Sequence, residues 1–354
     1  MTFFLDPAAR LAIYAEGEFG KGHSKTAEGV IRYGRNPIAA VIDSSEAGKT
    51  VKQAVKIDCP APIVASVKDS LQFKPDALLL GTAWTGGHLP DAWRKDILTA
   101  IENGMDVVNG LHDFLSDDPE IAQAAARHRR HLFDVRKPPD NLPVGEGLAR
   151  NLEQMVVLTV GTDCSVGKMT ASLELDREAR RRGLRSKFVA TGQTGIMICG
   201  EGIAIDRVIG DFMAGAVEQM VMSAAQTSDL IFVEGQGSLA HPGFSGVTLA
   251  LLHGACPKTM ILCHKASKTN ICELPLPMPS LSSIIEACQS MSRFLVPAKV
   301  VGVALNTWGM DERAAELAIA AAKEETKLPV VDPVRNGAGE LLDAILAHRE
   351  LPVG

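Results

Sequence analysis

The feature that most constrains the fold of this chain is an apolar stretch that runs into a glycine-rich turn and then into a helical pattern. Residues 156–160 are typical of a buried strand, and the turn and helix start follow at residues 161–170. Glycines let consecutive backbone N–H groups turn toward an anion, and the helix start adds the positive end of its dipole. Lys168 adds a mobile positive charge. The sequence therefore predicts a phosphate-binding loop.

We assign this binding role to the whole loop rather than to its lysine alone. The predicted cofactor-binding residues are Gly161, Thr162, Asp163, Cys164, Ser165, Val166, Gly167, Lys168, Met169 and Thr170. The loop departs from the usual P-loop pattern, because five residues instead of four separate its glycines and a methionine follows the lysine where a Mg²⁺-binding hydroxyl normally stands. The strand before and the helix after favour phosphate binding over a plain glycine turn, whereas the displaced hydroxyl weakens the case for phosphoryl transfer.

A second candidate site follows the apolar stretch 230–233. Glu234 ends this predicted strand and precedes the sequence Gly-Gln-Gly. In P-loop proteins an acid at such a strand end reaches Mg²⁺ directly or through water, and Asp163 and Thr170 could converge on the same ion. We predict Thr170 and Glu234 as metal ligands. The alternative interpretation is that Glu234 accepts hydrogen bonds from backbone amides in the glycine turn.

Composition limits the class of protein. The chain has 354 residues, enough for two domains, with 46% apolar and 22% charged residues. A net charge of −6 without a long Lys/Arg run argues against nucleic acid as a partner. No apolar run reaches the length of a membrane span, and the first residues lack the features of a signal peptide, so we expect a cytoplasmic protein with no membrane contact. We also expect a homo-oligomer.

The seven cysteines are scattered and show neither a CxxC pair nor zinc-ligand spacing, so we expect reduced thiols that mostly pack in the core. Cys164 invites a role as a nucleophile. A small residue that fits the loop is the simpler explanation.

Strand-like and helix-like segments alternate in both halves, which predicts α/β architecture with a parallel sheet in each. A run rich in proline, glycine and polar residues at 136–147 separates the halves. We predict a first domain at residues 1–140, a linker at 141–150 and a second domain at 151–354. The predicted strands are 11–15, 38–42, 77–80, 106–108, 187–190, 230–233, 259–263 and 300–304, and the predicted helices are 24–33, 93–103, 171–182, 212–225, 280–291 and 312–324.

Polar loops follow the predicted strands, at the edge where ligands of open α/β sheets bind. In the first half these loops are 17–24, 81–88 and 109–113. His23, His112 and Asp113 lie in them and could act as general bases, although a structural role is the more common one for any single histidine. In the second half, residues 191–195 and 199–202 could form an anion nest, and residues 265–270 could contact a base or an acidic substrate.

The loop 161–170 and the strand end Val233-Glu-Gly resemble those of dethiobiotin synthetase. This resemblance implies that Lys168 holds phosphates and that Asp163, Thr170 and Glu234 hold Mg²⁺. Met169 departs from the pattern, and the first half of the chain has no counterpart in those enzymes.

Over nearly its full length, the chain resembles a two-domain P-loop family catalogued as a domain of unknown function, DUF1611. The resemblance implies a Rossmann-like N-terminal domain, a P-loop NTPase-like C-terminal domain, and N-acetylation of D-glutamate by acetyl-CoA beside an enolase-superfamily partner that processes the product. The motifs that carry it are residues 20–26 (Gly-Lys-Gly-His-Ser-Lys-Thr), the loop 161–170, residues 234–242 (Glu-Gly-Gln-Gly-Ser-Leu-Ala-His-Pro) and residues 263–266 (Cys-His-Lys-Ala).

Under this interpretation the loop holds the phosphates of coenzyme A and no phosphoryl transfer is needed, so the displaced hydroxyl is explained. His112, His23 or Asp113 would deprotonate the substrate amine, and glycine-loop amides would stabilise the oxyanion. The positive residues that could bind the dicarboxylate, which the sequence does not rank, are Lys21, Lys25, Arg32 and Lys265.

Three other functions remain open. The main rival is an ATP/Mg²⁺-dependent ligase or kinase of the dethiobiotin synthetase type that acts on a small carboxylate. A non-enzymatic nucleotide-sensing module is the second. NAD(P)-dependent oxidoreduction is disfavoured, because the glycines at 17, 20 and 22 do not follow the GxGxxG spacing.

Overall fold

The computed structural model describes residues 5–82, 87–272 and 274–350. The chain divides into two compact units. The first comprises the chain up to Pro138 together with Gln193–Ala204, and the second comprises Pro139–Gly192 and the chain from Ile205 onward. Each unit contains a six-stranded sheet in which all neighbouring strands are parallel, which confirms the predicted fold class.

The sheet of the first unit is short-stranded and buried. Its strands are β1 (Leu11–Tyr14), β2 (Ile38–Ile42), β3 (Ile63–Val64), β4 (Ala77–Leu80), β5 (Asp106–Asn109) and β6 (Leu132–Asp134). They lie in the order β3-β2-β1-β4-β5-β6. Every residue of β1 and β4 is buried, as expected for parallel strands covered by helices on both faces. The direction of strand addition reverses between β1 and β4, the position at which such sheets bind ligands.

The helices of the first unit come from both halves of the sequence. They are α1 (Lys25–Tyr33), α2 (Val51–Val55), α3 (Val67–Ser70), α4 (Asp91–Glu102), α5 (Pro119–His128) and, numbered by its place in the chain, α7 (Gln193–Cys199). The buried hydroxyl oxygens of Thr26 on α1 and Thr194 on α7 are 2.8 Å apart. A Cβ at Gly110 would lie 2.8 Å from Met197 Cε, so α7 packs closely in this unit.

The sheet of the second unit places the P-loop strand near its centre. Its strands are β7 (Met155–Gly161), β8 (Ser186–Val189), β9 (Leu230–Val233), β10 (Thr259–Lys265), β11 (Lys299–Asn306) and β12 (Val330–Val331). The order is β12-β11-β10-β7-β9-β8. All seven residues of β7 are buried, so the strand delivers the loop that follows it to the middle of the carboxyl edge.

Helices cover both faces of this second sheet. They are α6 (Lys168–Arg181), α8 (Gly210–Ala225), α9 (Ser245–Ala255), α10 (Leu281–Ser292), α11 (Glu312–Thr326) and α12 (Gly339–Glu350). Leu175 and Ala179 of α6 share a buried apolar cluster with Leu341, Leu342 and Ile345 of α12. Within the described part of the chain, no helix is both long and apolar enough to cross a membrane.

The segment predicted as a linker packs against α8. The carboxylate of Glu218 accepts hydrogen bonds from the backbone N–H groups of Glu146 (3.1 Å) and Leu148 (2.5 Å). A Cβ at Gly215 would lie only 1.9 Å from Pro143 O. Residues 143–148 are therefore a packed part of the second unit.

The predicted strands and helices are all present, with ends that differ by a few residues. The short strands β3, β6 and β12 and the helices α2, α3, α5, α7, α9 and α12 were not predicted. The division of the chain also differs from the predicted one, because residues 193–204 belong to the first unit. A pattern along the chain indicates the type of an element and does not say which sheet it packs against.

We expect Gly215→Ala to destabilise the second unit. The added methyl group collides with backbone atoms of Pro143 and Val144, which must move away from α8. Overpacking of this kind lowers the free energy of unfolding by about 1–3 kcal/mol. Urea denaturation measures the change. The matched control is Gly246→Ala on α9, where nothing lies within 4 Å of the Cβ position. Equal transitions for the two variants would contradict this packing.

Candidate active site

The P-loop winds tightly between the end of β7 and the start of α6. Ser165 (φ 55°) and Gly167 (φ 107°) adopt left-handed conformations, which turn neighbouring amides toward the same side. A Cβ at Gly161 would lie 2.9 Å from Lys168 Nζ and 3.0 Å from Val166 Cγ2. The glycine is therefore required for the loop to close over its own lysine. This geometry confirms the predicted strand, loop and helix.

The ten residues of the loop differ in exposure. Only Ser165 is exposed; Cys164, Gly167, Met169 and Thr170 are half-buried; and the rest are buried, namely Gly161, Thr162, Asp163, Val166 and Lys168.

Lys168 turns its ammonium group back over the loop. Its Nζ donates a hydrogen bond to Asp163 O at 2.7 Å, and the residue is only 6% exposed. Burial lowers the pKa of this amine, because the charged form loses its hydration. A bound anion would restore a favourable partner for that charge.

Asp163 is fully buried and clamps another loop onto the P-loop. Its Oδ1 accepts a hydrogen bond from Cys164 N at 2.7 Å. Its Oδ2 accepts from Lys268 Nζ at 2.5 Å and from Cys272 N at 2.7 Å. Lys268 Nζ also donates to Cys164 O at 3.1 Å. Asp163 thus fixes the segment after β10 against the cradle.

Glu234 lies buried at the carboxyl end of β9 and joins it to the end of β8. Its Oε2 accepts hydrogen bonds from Thr191 N (2.9 Å) and Gly192 N (3.2 Å), and Thr191 Oγ1 donates to Glu234 O at 2.7 Å. Burial raises the pKa of the carboxyl to about 7, although the two amides and Lys168 oppose the shift. Glu234 is consequently an oriented carboxyl group that can gain or lose a proton near neutral pH.

The oxygen donors of this region do not fit a Mg²⁺ ion well. Magnesium prefers octahedral oxygen ligands that hydrogen bonds do not already occupy. Both carboxylate oxygens of Asp163 accept hydrogen bonds, one of them from an ammonium group, and Oε2 of Glu234 accepts two. Thr170 lies half-buried in the first turn of α6. The ligand role of Thr170 and Glu234 stays a prediction; the contacts of Asp163 and of Glu234 Oε2 count against it, whereas no hydrogen bond to Glu234 Oε1 is described.

A second group of potential metal ligands also lacks side chains that are ready to bind a metal. A carboxylate oxygen of Asp163, Cys164 Sγ and a ring nitrogen of His241 lie within 4.8 Å of one another. His241 Nδ1 accepts a hydrogen bond from Gly243 N at 3.1 Å, so in the neutral ring Nε2 carries the proton and cannot ligate. Burial raises the pKa of the Cys164 thiol, which keeps it protonated and favours packing over nucleophilic attack.

The three predicted bases belong to the first unit. His23 is exposed just before α1, and His112 and Asp113 are half-buried after β5. Asp113 Oδ2 accepts a hydrogen bond from Leu89 N at 2.8 Å, and its Oδ1 lies 3.0 Å from His88 Nδ1. The amide of Leu89, assisted by His88, lowers the pKa of Asp113, which makes this carboxylate a weak base.

The predicted ligand loop at 81–88 is described only in part, because residues 83–86 lie outside the described residues. Thr82 is buried, and its Oγ1 has no hydrogen-bond partner among the described atoms.

The predicted nest at 191–195 is divided between the two units. The amides of Thr191 and Gly192 bind the carboxylate of Glu234, while the residues that follow form α7 in the first unit. This differs from the sequence-based hypothesis, which treated the segment as one anion site.

Several neighbours of the P-loop received no role from the sequence. Thr162 Oγ1 lies 2.9 Å from His264 Nδ1, and Ser238 Oγ donates to Thr162 O at 2.9 Å. Asn306 Nδ2 lies 3.6 Å from the Cβ position of Gly167. His264 and Asn306 stand at or near the carboxyl ends of β10 and β11, and this position is the signal that could have identified them.

The chain matches two family descriptions. Residues 143–342 match a P-loop domain described as a domain of unknown function (DUF1611_C), and residues 44–138 match the Rossmann-like domain DUF1611_N.

Similar proteins agree with these matches. The chain is 42% identical over 273 residues to a protein named D-glutamate N-acetyltransferase from Tritonibacter scottomollicae, which covers 76% of this chain and 81% of that protein. It is 38% identical over 286 residues to a protein of the same name from a Pseudoalteromonas species, which covers 80% of this chain and 84% of that one. A crystal structure of a DUF1611 family protein from Anabaena variabilis is 44% identical, with a TM-score of 0.92 over 96% of this chain and 99% of that chain.

Glu234 predicts a pH dependence of stability. Its folded-state pKa is raised from 4.5 to about 7, so the folded protein holds this proton more tightly than the unfolded chain does. The resulting stabilisation is complete below the unfolded pKa and is lost as the pH rises through the folded pKa. We expect a loss of about 3 kcal/mol across this window.

Urea denaturation at about pH 5 and about pH 8 measures this loss. Glu234→Gln cannot ionise and should therefore lose this pH-dependent change in the free energy of unfolding. Glu286→Gln, on the exposed side of α10, should retain it. The same pH dependence in wild type and Glu234→Gln would contradict the assignment.

Proposed function

The chain belongs to the two-domain DUF1611 family, and on that premise we propose that it is a D-glutamate N-acetyltransferase. In this reaction acetyl-CoA supplies the acetyl group and free coenzyme A leaves. The observation that carries the proposal is the 42% identity, over about three quarters of the chain, to a protein of that name. We propose a cytoplasmic homo-oligomer and an enolase-superfamily partner that processes the product.

The P-loop supports acetyl-CoA as the donor. Coenzyme A carries a diphosphate, and the cradle offers inward-turned amides and the buried ammonium of Lys168 for such a group. Lys168 would exchange its hydrogen bond to Asp163 O for a phosphate oxygen. Acyl transfer needs no metal on these phosphates, which agrees with the hydrogen bonds that both carboxylate oxygens of Asp163 and Oε2 of Glu234 already accept.

Glu234 is the best general base that the second unit offers. The ammonium group of D-glutamate must lose a proton before its nitrogen can attack the acetyl carbon. Glu234 has one oxygen fixed by two amides and a pKa near the operating range, whereas the pKa of Asp113 is lowered. His23 and His112 stay predicted alternatives. As the new C–N bond forms, the C–S bond breaks, and the thiolate of coenzyme A leaves and takes up a proton.

We expect thiol release when the protein is incubated with acetyl-CoA and D-glutamate, and none with L-glutamate. Lys168→Ala should lower kcat/KM for acetyl-CoA roughly ten- to hundredfold, because a charge-assisted contact to phosphate is lost. The control Lys299→Ala removes an exposed lysine at the amino end of β11 and should leave the rate unchanged. Silence with acetyl-CoA, together with substrate-dependent release of ADP from ATP and Mg²⁺, would overturn the proposal in favour of the ligase or kinase.

Glu234→Gln should separate the base from a structural role. In wild type, kcat/KM should rise with pH through about 7 as Glu234 loses its proton. In the variant, kcat/KM should be lower by roughly 10²-fold or more and should not show this rise with pH. Glu286→Gln is the control, with an unchanged profile expected. A wild-type pH profile in Glu234→Gln would exclude Glu234 and return His112 and His23 to consideration.

A further inference from the structure

Two side chains beside the P-loop are Trp308, which has no role in the proposed chemistry, and Lys265, which was one of four candidates to bind the dicarboxylate. Trp308 follows β11, and Lys265 ends β10. The register of these strands pairs Lys265 with Asn306, whose Nδ2 lies 3.6 Å from the Cβ position of Gly167 in the P-loop. The three residues therefore occupy the carboxyl edge directly next to the anion cradle.

Trp308 presents its ring to solvent. The residue is 74% exposed, although a large apolar ring of this kind is normally mostly buried. Lys265 Nζ lies 5.2 Å from the ring centroid, in the range of a cation–π interaction. One face of the indole thus carries a positive charge, and the exposure leaves the rest of the ring open to a ligand.

The loop that carries the indole is held in place from below. Buried Asp332 accepts hydrogen bonds from Thr307 N (2.9 Å) and Thr307 Oγ1 (2.5 Å). Trp308 N donates to Asn306 Oδ1 at 3.0 Å, and Arg335 Nη2 donates to Met310 O at 2.9 Å. Because these contacts fix the backbone of the loop, the loop itself loses little conformational entropy when a flat ligand stacks on the indole.

We propose that Trp308, Lys265 and Asn306 form the subsite for the adenine ring of the acyl donor. This inference rests on the proposed function for the identity of the donor, because acetyl-CoA joins an adenine nucleotide to the phosphates that the P-loop binds. The purine stacks on the open indole, as bases do on aromatic side chains. Since Asn306 Oδ1 is occupied by Trp308 N, the amide presents Nδ2 as a donor. Lys265 places positive charge beside the phosphorylated ribose.

A donor without the adenine nucleotide separates this subsite from the reaction itself. S-acetylpantetheine keeps the thioester but has no purine. With acetyl-CoA, Trp308→Leu should raise KM roughly tenfold and leave kcat unchanged, and Trp308→Phe should recover most of the loss. With S-acetylpantetheine, neither variant should change kcat/KM. Phe294→Leu is the control, because it removes another exposed aromatic side chain (71%) of the second unit.

Nucleotide binding gives a readout that needs no turnover. Adenosine 3′,5′-bisphosphate should quench the fluorescence of wild type more than that of Trp308→Phe, since the variant keeps the other two tryptophans, Trp84 and Trp93, and lacks only the one at the proposed subsite. Calorimetry should show binding weakened roughly tenfold in Trp308→Leu. Tight, Trp308-dependent binding without acetyl transfer would retain the subsite and reject the proposed function.

Two results would overturn the subsite itself. One is acetyl transfer with equal losses for both donors, or with no change of KM in Trp308→Leu. The other is unchanged nucleotide binding with a lower oligomeric state in sedimentation, which would assign Trp308 to a contact between copies of the chain.

Discussion

Three charged groups are buried together around the end of the central strand β7, and the local structure of the second unit is arranged to compensate them. Buried charges are stable only when they are paired or when they shift toward the neutral form. Asp163 is paired with Lys268 and two amides. Glu234 accepts hydrogen bonds from two amides and has a raised pKa. Lys168 donates a hydrogen bond to a carbonyl and has a lowered pKa. The partners come from different parts of the chain: the segment after β10 for Asp163, the end of β8 for Glu234, and the P-loop itself for Lys168.

This compensation explains how four strand ends become one surface. The loop after β10 is tied to the loop after β7 through Asp163, and the end of β8 is tied to the end of β9 through Glu234. Lys168 is the group whose compensation is weakest, because a single carbonyl accepts from its ammonium among the hydrogen bonds described. An anion in the cradle would give the Lys168 ammonium a partner of opposite charge and would leave the hydrogen bonds of the Asp163 and Glu234 carboxylates in place. This arrangement supports the proposed binding of an anion, for which the surrounding contacts would already be in place.

The sequence predicted what local pattern determines. The strand, glycine loop and helix around Lys168 and the placement of Glu234 at a strand end follow from short segments with strong periodicity. The partner of Asp163 could not be predicted in the same way, since Lys268 is separated from it by 105 positions and its segment was predicted to contact a base or an acidic substrate instead. The alternative interpretation of Glu234, acceptance of backbone amides, describes its observed contacts, but the amides belong to a neighbouring loop. No sequence motif includes Trp308, and its exposure is known only from the structure, in which it follows β11.

The helix α7 has a consequence for how the chain reaches its folded state. The chain crosses between the units after Pro138, after Gly192 and after Ala204, so the first unit is assembled from two separate stretches of sequence. During synthesis the residues up to Pro138 leave the ribosome without α7, the helix that Thr26 later contacts. Residues 139–192, which include β7, the P-loop, α6 and β8, emerge before α7 does. The first unit can thus be completed only after residues 139–192 of the second unit have been synthesised. Gly192, one of the two residues that Glu234 holds, is the last position before the chain crosses, which makes the candidate site also the point that fixes this crossing.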